Sequence, residues 1–122
     1  MDKTLEKSIS ILLKEWKDIN GQLELLFRER DQHKTKELMG EGINLFIQFL
    51  SLSNGFPTSE DIPFSPDKFD SKPVNAEDRL GFIMSRPALY HSYRQLSELM
   101  VEQEKLYIKS NLLKKASKPT NG

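Results

Sequence analysis

Eighteen basic and 18 acidic residues cancel in a chain of 122, and there is no cysteine. The balance lacks the positive excess on which duplex-binding proteins rely, and the missing thiol excludes disulfide frameworks, thiolate zinc sites and cysteine nucleophiles. A chain this long buries a core without staples, so a single helical domain is expected over residues 1–115, followed by a frayed polar tail over 116–122.

The first segment sets Leu5, Ile9, Leu12, Leu13, Trp16 and Ile19 at steps of three and four, the spacing of an amphipathic helix. Asp2 is placed to cap it and Glu6 to support its first turn. Asn20-Gly21 reads as a stop, yet the apolar phase continues through Leu23, Leu26 and Phe27. Either the helix runs through Gly21 at a cost of about 1 kcal/mol or a second helix starts at once; the reading favours two helices in nearly the same direction.

Residues 28–37 are almost wholly polar and read as a solvated helix end and a turn. From Leu38 to Leu52 the chain is apolar nearly all round, which predicts a buried central helix too short to cross a bilayer. Gly40 and Gly42 mark either a close helix approach or a loose helix start. Asn54-Gly55 ends this helix, with Phe56 placed to fold back on it.

Pro57, Pro63, Pro66 and Pro73 forbid a regular helix between Phe56 and Val74. Phe56, Ile62, Phe64, Phe69 and Val74 need burial, so the segment reads as an ordered proline-rich strap across the bundle. Its acids Glu60, Asp61, Asp67 and Asp70 lack the central glycine and closing glutamate of a calcium loop.

Asn75 begins the next helix, with Glu77 and Asp78 in its first turn and Leu80, Ile83 and Met84 as its stripe. Pro87 sets a break at Arg86 and suits the first turn of the helix that follows. That last helix places Leu89, Tyr93, Leu96, Leu99, Met100, Leu106 and Tyr107 on one face and runs to about Lys115. At roughly 40 Å it exceeds what a core of this size needs. Its end carries Lys105, Lys109, Lys114 and Lys115, as suits a helix C-terminus.

Trp16, then LFRER at 26–30, FLSLSNGFP at 49–57 and RLGFIMSRPALYHSYRQLSELMVEQEKLY at 79–107 form a pattern that resembles the YpoC-like family of small proteins from Bacillus and relatives. The likeness spans most of the chain and is strongest over the RP-x-x-YHS segment and the QL-x-EL helix. It implies a helical cytoplasmic protein and carries no activity, substrate or catalytic residue to this chain.

Arg86, His91 and Tyr93 are spaced R-x4-H-x-Y, which resembles the HEPN-type helical ribonucleases and their toxin relatives. Those are small helical bundles whose sites form where two subunits meet. The resemblance implies that Arg86 holds a phosphate and His91 acts on the ribose 2′-hydroxyl or the leaving group, with no metal. Imidazole titrates near neutrality and guanidinium is permanently charged, as that chemistry needs. Pro87 stands where that family has a polar residue, and Arg28 and His33 repeat the five-residue step. Five residues of one continuous helix turn through about 140°, so Arg86 and His91 converge only if the break before Pro87 swings Arg86 back.

His91 projects away from the stripe of Leu89, Leu96 and Tyr107, which puts it on the surface or at a subunit contact. The plain alternatives are a surface or capping role for His91 and carbonyl binding at a helix end for Arg86. Tyr90 and Tyr93 then read as half-buried packing, Trp16 as core and His33 as exposed. No phosphate loop, zinc-binding H-E-x-x-H or G-x-S-x-G elbow is present.

The residues therefore predict an all-α bundle of four to five helices. The favoured role is non-enzymatic, a protein-interaction or structural module without cofactor or metal. Its partner would be another protein or a second copy, met through the C-terminal helix, and no membrane is involved. The ribonuclease using Arg86, His91 and Tyr93 is the alternative, and RNA enters mainly with it. Nucleic-acid binding through the C-terminal lysines is a third and weaker reading.

Overall fold

The three-and-four spacing of the first segment is realised as one helix, α1 (Lys3–Glu29), in the computed structural model, which describes residues 3–56 and 69–117. Ile9, Leu12, Trp16, Ile19 and Leu23 form its buried stripe. The expected break at Asn20-Gly21 does not occur. Leu23 continues the stripe, and the Tyr93 hydroxyl donates a hydrogen bond to Asn20 Oδ1, so a residue that ordinarily ends helices is held inside one. Gly21 lies on the exposed face and costs only its intrinsic helix penalty.

The turn after α1 is shorter than the polar run 28–37 suggests. Arg30 adopts the left-handed conformation, φ 59°. Its N–H bonds the Phe27 carbonyl at 3.2 Å, and the Asp31 N–H bonds the Leu26 carbonyl at 3.1 Å. This is the Schellman arrangement, with arginine where glycine is usual. Asp31 then caps α2 (Gln32–Ser53), its carboxylate accepting from the Lys34 N–H at 3.1 Å. So α2 starts well before Leu38, and α1 and α2 form a tight antiparallel hairpin.

Met39, Ile43, Leu45, Phe46, Phe49 and Leu50 of α2 are buried, as an apolar helix demands. The two glycines of this helix differ. A Cβ on Gly40 would meet nothing within 4 Å, whereas one on Gly42 would lie 2.9 Å from Trp16 Cζ3 and 3.1 Å from a Leu96 methyl. Gly42 is the close approach and Gly40 is not. At the end of α2, Gly55 takes φ 82° and Phe56 turns back, its N–H on the Ser51 carbonyl at 2.9 Å.

The expected strap falls mainly on residues 57–68, outside the described residues. Beyond it, Phe69 is buried and meets Phe56 edge-on at 5.5 Å, but Val74 is 75% exposed and needs no cover. Asn54 fastens the returning chain: its amide donates to the Ser71 carbonyl at 2.8 Å, and its Oδ1 accepts from the Ser71 N–H at 2.8 Å. From the C-terminal helix, the wholly buried Gln103 donates to Ser53 Oγ at 2.7 Å and to the Ser71 carbonyl at 3.2 Å.

α3 (Ala76–Ser85) buries Leu80 and Ile83, while Met84 is 56% exposed and leaves the expected stripe. Asn75 occupies the N-cap position without capping. Its left-handed backbone, φ 57°, is not the extended one from which a side chain reaches back to the first turn. Pro87 also differs from expectation. It sits second in a turn closed by the Leu89 N–H on the Arg86 carbonyl at 3.2 Å, so the last helix, α4 (Tyr90–Ser117), starts three residues later. Tyr93, Leu96, Leu99 and Met100 are buried and Leu106 and Tyr107 half-buried; Leu89 stands outside this face and is exposed.

Ring contacts fix the direction of α4. Tyr90 and Tyr93 lie against Phe27 at the hairpin end, and Tyr107 lies against Phe49 near the end of α2. α4 therefore runs alongside α2, and α3 packs on its outer side. Among the described residues there are four helices and no strand, and no helix is long and apolar enough to cross a membrane.

Gly42→Ala is expected to lower unfolding stability by about 1–3 kcal/mol, because a buried indole cannot yield several tenths of an ångström freely. Gly21→Ala is expected to raise it by about 1 kcal/mol. Urea denaturation of the two variants beside the parent checks both signs.

Candidate functional site

The turn Arg86–Leu89 joins two helices and delivers His91 to the first turn of α4. Ser92 is buried beside it and donates its hydroxyl to the Arg86 carbonyl at 2.6 Å. That bond and the Leu89 N–H pin the backbone of Arg86. Its side chain is exposed and makes no hydrogen bond among the described residues, so the carbonyl-binding role expected for its guanidinium is absent; the residue's carbonyl is the part in use.

His91 is exposed, as its place off the stripe implies, and its ring meets Phe82 edge-on at 5.4 Å. The two rings sit on a shallow cleft of about 300 Å³ between α3 and α4, lined also by Asn75, Asp78, Arg79 and Gln95. Arg86 does not line this cleft. Tyr93 faces inward instead, fully buried against Phe27 and bonded to Asn20, so it is more deeply packed than the half-buried role expected of it. Burial pushes its phenol above the ordinary range, and the charge of Glu24 adds to the shift. Tyr90 packs edge-on to Phe27 but is mostly exposed. The R-x4-H-x-Y residues thus occupy three surroundings: an exposed turn, an open cleft and the core.

The strongest polar constellation here lies in residues that sequence spacing does not single out. Arg79 of α3 makes a two-pronged pair with Glu102 of α4, at 2.7 Å and 3.0 Å. Its Nε donates to Gln95 Oε1 at 3.0 Å, and its Nη1 also reaches the Val74 carbonyl at 3.1 Å. The hydrogen bond to Glu102 raises the Arg79 pKa, and the same bond holds the Glu102 carboxyl below its usual range. Twenty-three residues separate the partners, beyond any helical repeat, so no local signal announces them. The guanidinium is consumed in binding α3 to α4 and is not free to receive a phosphate.

His33, the other histidine, is exposed as expected and lies 3.2 Å from Glu37 one turn on. Among the described residues no three of His, Asp and Glu are placed to hold a metal ion.

Residues 6–115 match the family described as YpoC-like protein. The chain belongs to the YpoC-like family. A relative in Bacillus subtilis (strain 168), named "Uncharacterized protein YpoC", is 31% identical over 105 residues. The aligned stretch covers 84% of this chain and 64% of that relative, so the chain spans less than two thirds of the relative's length. No solved structure matches the chain. In this YpoC-like chain the stretch 79–107 supplies the side-chain bonds that join α3 to α4, from Arg79 to Gln95 and Glu102.

The Arg79–Glu102 pair gives a signed pH dependence. Because the Glu102 pKa is depressed by folding, its contribution is complete above the ordinary carboxylate pKa and is lost as pH falls through the folded value. The pair is partly exposed, so solvent screening limits it to about 1 kcal/mol. Glu102→Gln should therefore be less stable than the parent by that amount at pH 7, and the gap should be narrower at pH 3, below the usual carboxylate range of about 4. Urea titrations at the two pH values measure it; an equal gap at both would show that the charge is irrelevant.

Proposed function

We propose that the protein is a cytoplasmic, non-enzymatic interaction module whose working part is the free end of α4. The observation that carries this reading is the fate of α4 past Tyr107. Among the described residues Tyr107 is the last hydrophobic side chain of the helix packed on the core, yet the helix continues to Ser117, about 15 Å further. On that extension Leu112 is 62% exposed and Leu113 60%, with Ile108 half exposed before them. Exposed apolar side chains grouped on one helix end are what a docking partner would cover. Lys109 lies exposed on the same stretch, and Lys105 is exposed one turn before it.

A photo-crosslinking residue at position 112, expressed in the cell of origin, is expected to give discrete adducts. The same residue at exposed Glu15 of α1 serves as the control. Adducts no stronger at 112 than at 15 would remove the reading.

A further inference from the structure

The surface opposite in character to the α4 extension is present on the same molecule. Near the hairpin end, α1 and α2 enclose a groove of about 460 Å³. Leu25, Leu26 and Leu38 contribute its apolar part, and Leu25 is 54% exposed. Glu29, Glu37 and Glu41 line it with carboxylates, against one cation, Lys34. An apolar groove with an acidic rim suits a helix that presents apolar residues beside lysines, and Lys105, Ile108, Lys109 and Leu112 offer that pattern along the last turns of α4.

The two surfaces cannot meet within one molecule. The groove lies where Phe27 of α1 packs on Tyr90 and Tyr93, at the start of α4, whereas Tyr107 packs on Phe49 towards the other end. From Tyr90 to Leu112 the straight helix spans about 33 Å. The end of α4 therefore points away from its own groove.

We infer that the acidic α1–α2 groove receives the α4 end of a second copy of this chain, giving head-to-tail self-association. The inference rests on the proposed role of α4 and names its partner. The contact is heterologous: each molecule offers a helix end at one pole and a groove at the other, so copies add in rows or close into a ring. Apolar contact between Leu112 and the groove leucines supplies the attraction, and Glu37 and Glu41 facing Lys105 and Lys109 set the orientation.

Sedimentation of the full chain over a range of concentrations tests this. The parent should gain mass with concentration. Leu112→Glu, which spoils only the helix end, and Glu37→Lys with Glu41→Lys, which spoils only the groove, should each associate at least about tenfold more weakly. Mixed one to one, the two variants should form a dimer that grows no further, because one keeps its groove and the other its helix end. A parent that stays monomeric at millimolar concentration overturns the inference, and so does an associating parent whose two variants fail to complement each other. Adducts at position 112 with a different protein, alongside a monomeric parent, would leave the interaction role standing and remove the second copy as partner. No adducts at 112 would remove both.

Discussion

Three helices meet at a position with no side chain. Gly42 of α2 lets the indole of Trp16 and a methyl of Leu96 come within the space a Cβ would fill, so α1, α2 and α4 close on one point. Protein interiors are packed to crystal density, and a single extra carbon there has to displace an aromatic ring or a helix. The positions of Trp16 and Leu96 in turn set the register of the stripes on either side: Ile19 and Leu23 above on α1, Leu99 and Met100 further along α4. The ring contacts of Tyr90 and Tyr93 with Phe27, and of Tyr107 with Phe49, then give α4 its direction and part its free end from the hairpin groove.

α3 is a different kind of element. Ten residues long, it buries little beyond Ala76, Leu80 and Ile83, which is small cover for a helix that must stay in place. Polar bonds complete the attachment. Arg79 reaches Glu102, Gln95 and the Val74 carbonyl, while Ser92 holds the Arg86 carbonyl on the other side of the turn. The junction is thus tied from both ends, and the exposed Phe82 and His91 ride on it. The guanidinium of Arg79 is neutralised by Glu102 where it stands, at the edge of the cleft that His91 lines.

Much of the helical layout was legible in the sequence because burial imposes a period. The stripe from Ile9 to Ile19, the apolar run around Phe46 and Phe49, the Asn54-Gly55 stop and the break at Arg86 were each written in local spacing or in the chemistry of one or two residues. The misreadings have local causes too. Asn20-Gly21 has the composition of a helix end, and the burial of Leu23 together with a bond from a tyrosine seventy-three residues away outweighs it. Asn75 has the right residue type for a cap and the wrong backbone angle. Pro87 fits a helix start and a turn equally well, and the bond from Leu89 decides for the turn. The site was less legible than the fold. Its polar groups are joined across helices at separations of 16 and 23 residues, and nothing in a linear pattern ties Arg79 to Gln95 or Glu102. The Arg86–His91–Tyr93 spacing was visible, but spacing does not fix direction, and the turn at Pro87 sends those three side chains to different surroundings.

Asn54 and Ser71 exchange two hydrogen bonds across seventeen positions, with Gln103 adding a third from α4. The entropy lost in bringing two distant points of a chain together grows only logarithmically with the slack between them, about 0.6 kcal/mol for each doubling. Held by Asn54 and by Gln103, Ser71 marks where the returning chain rejoins the helices, and the cost of closing that loop changes only slowly with its length.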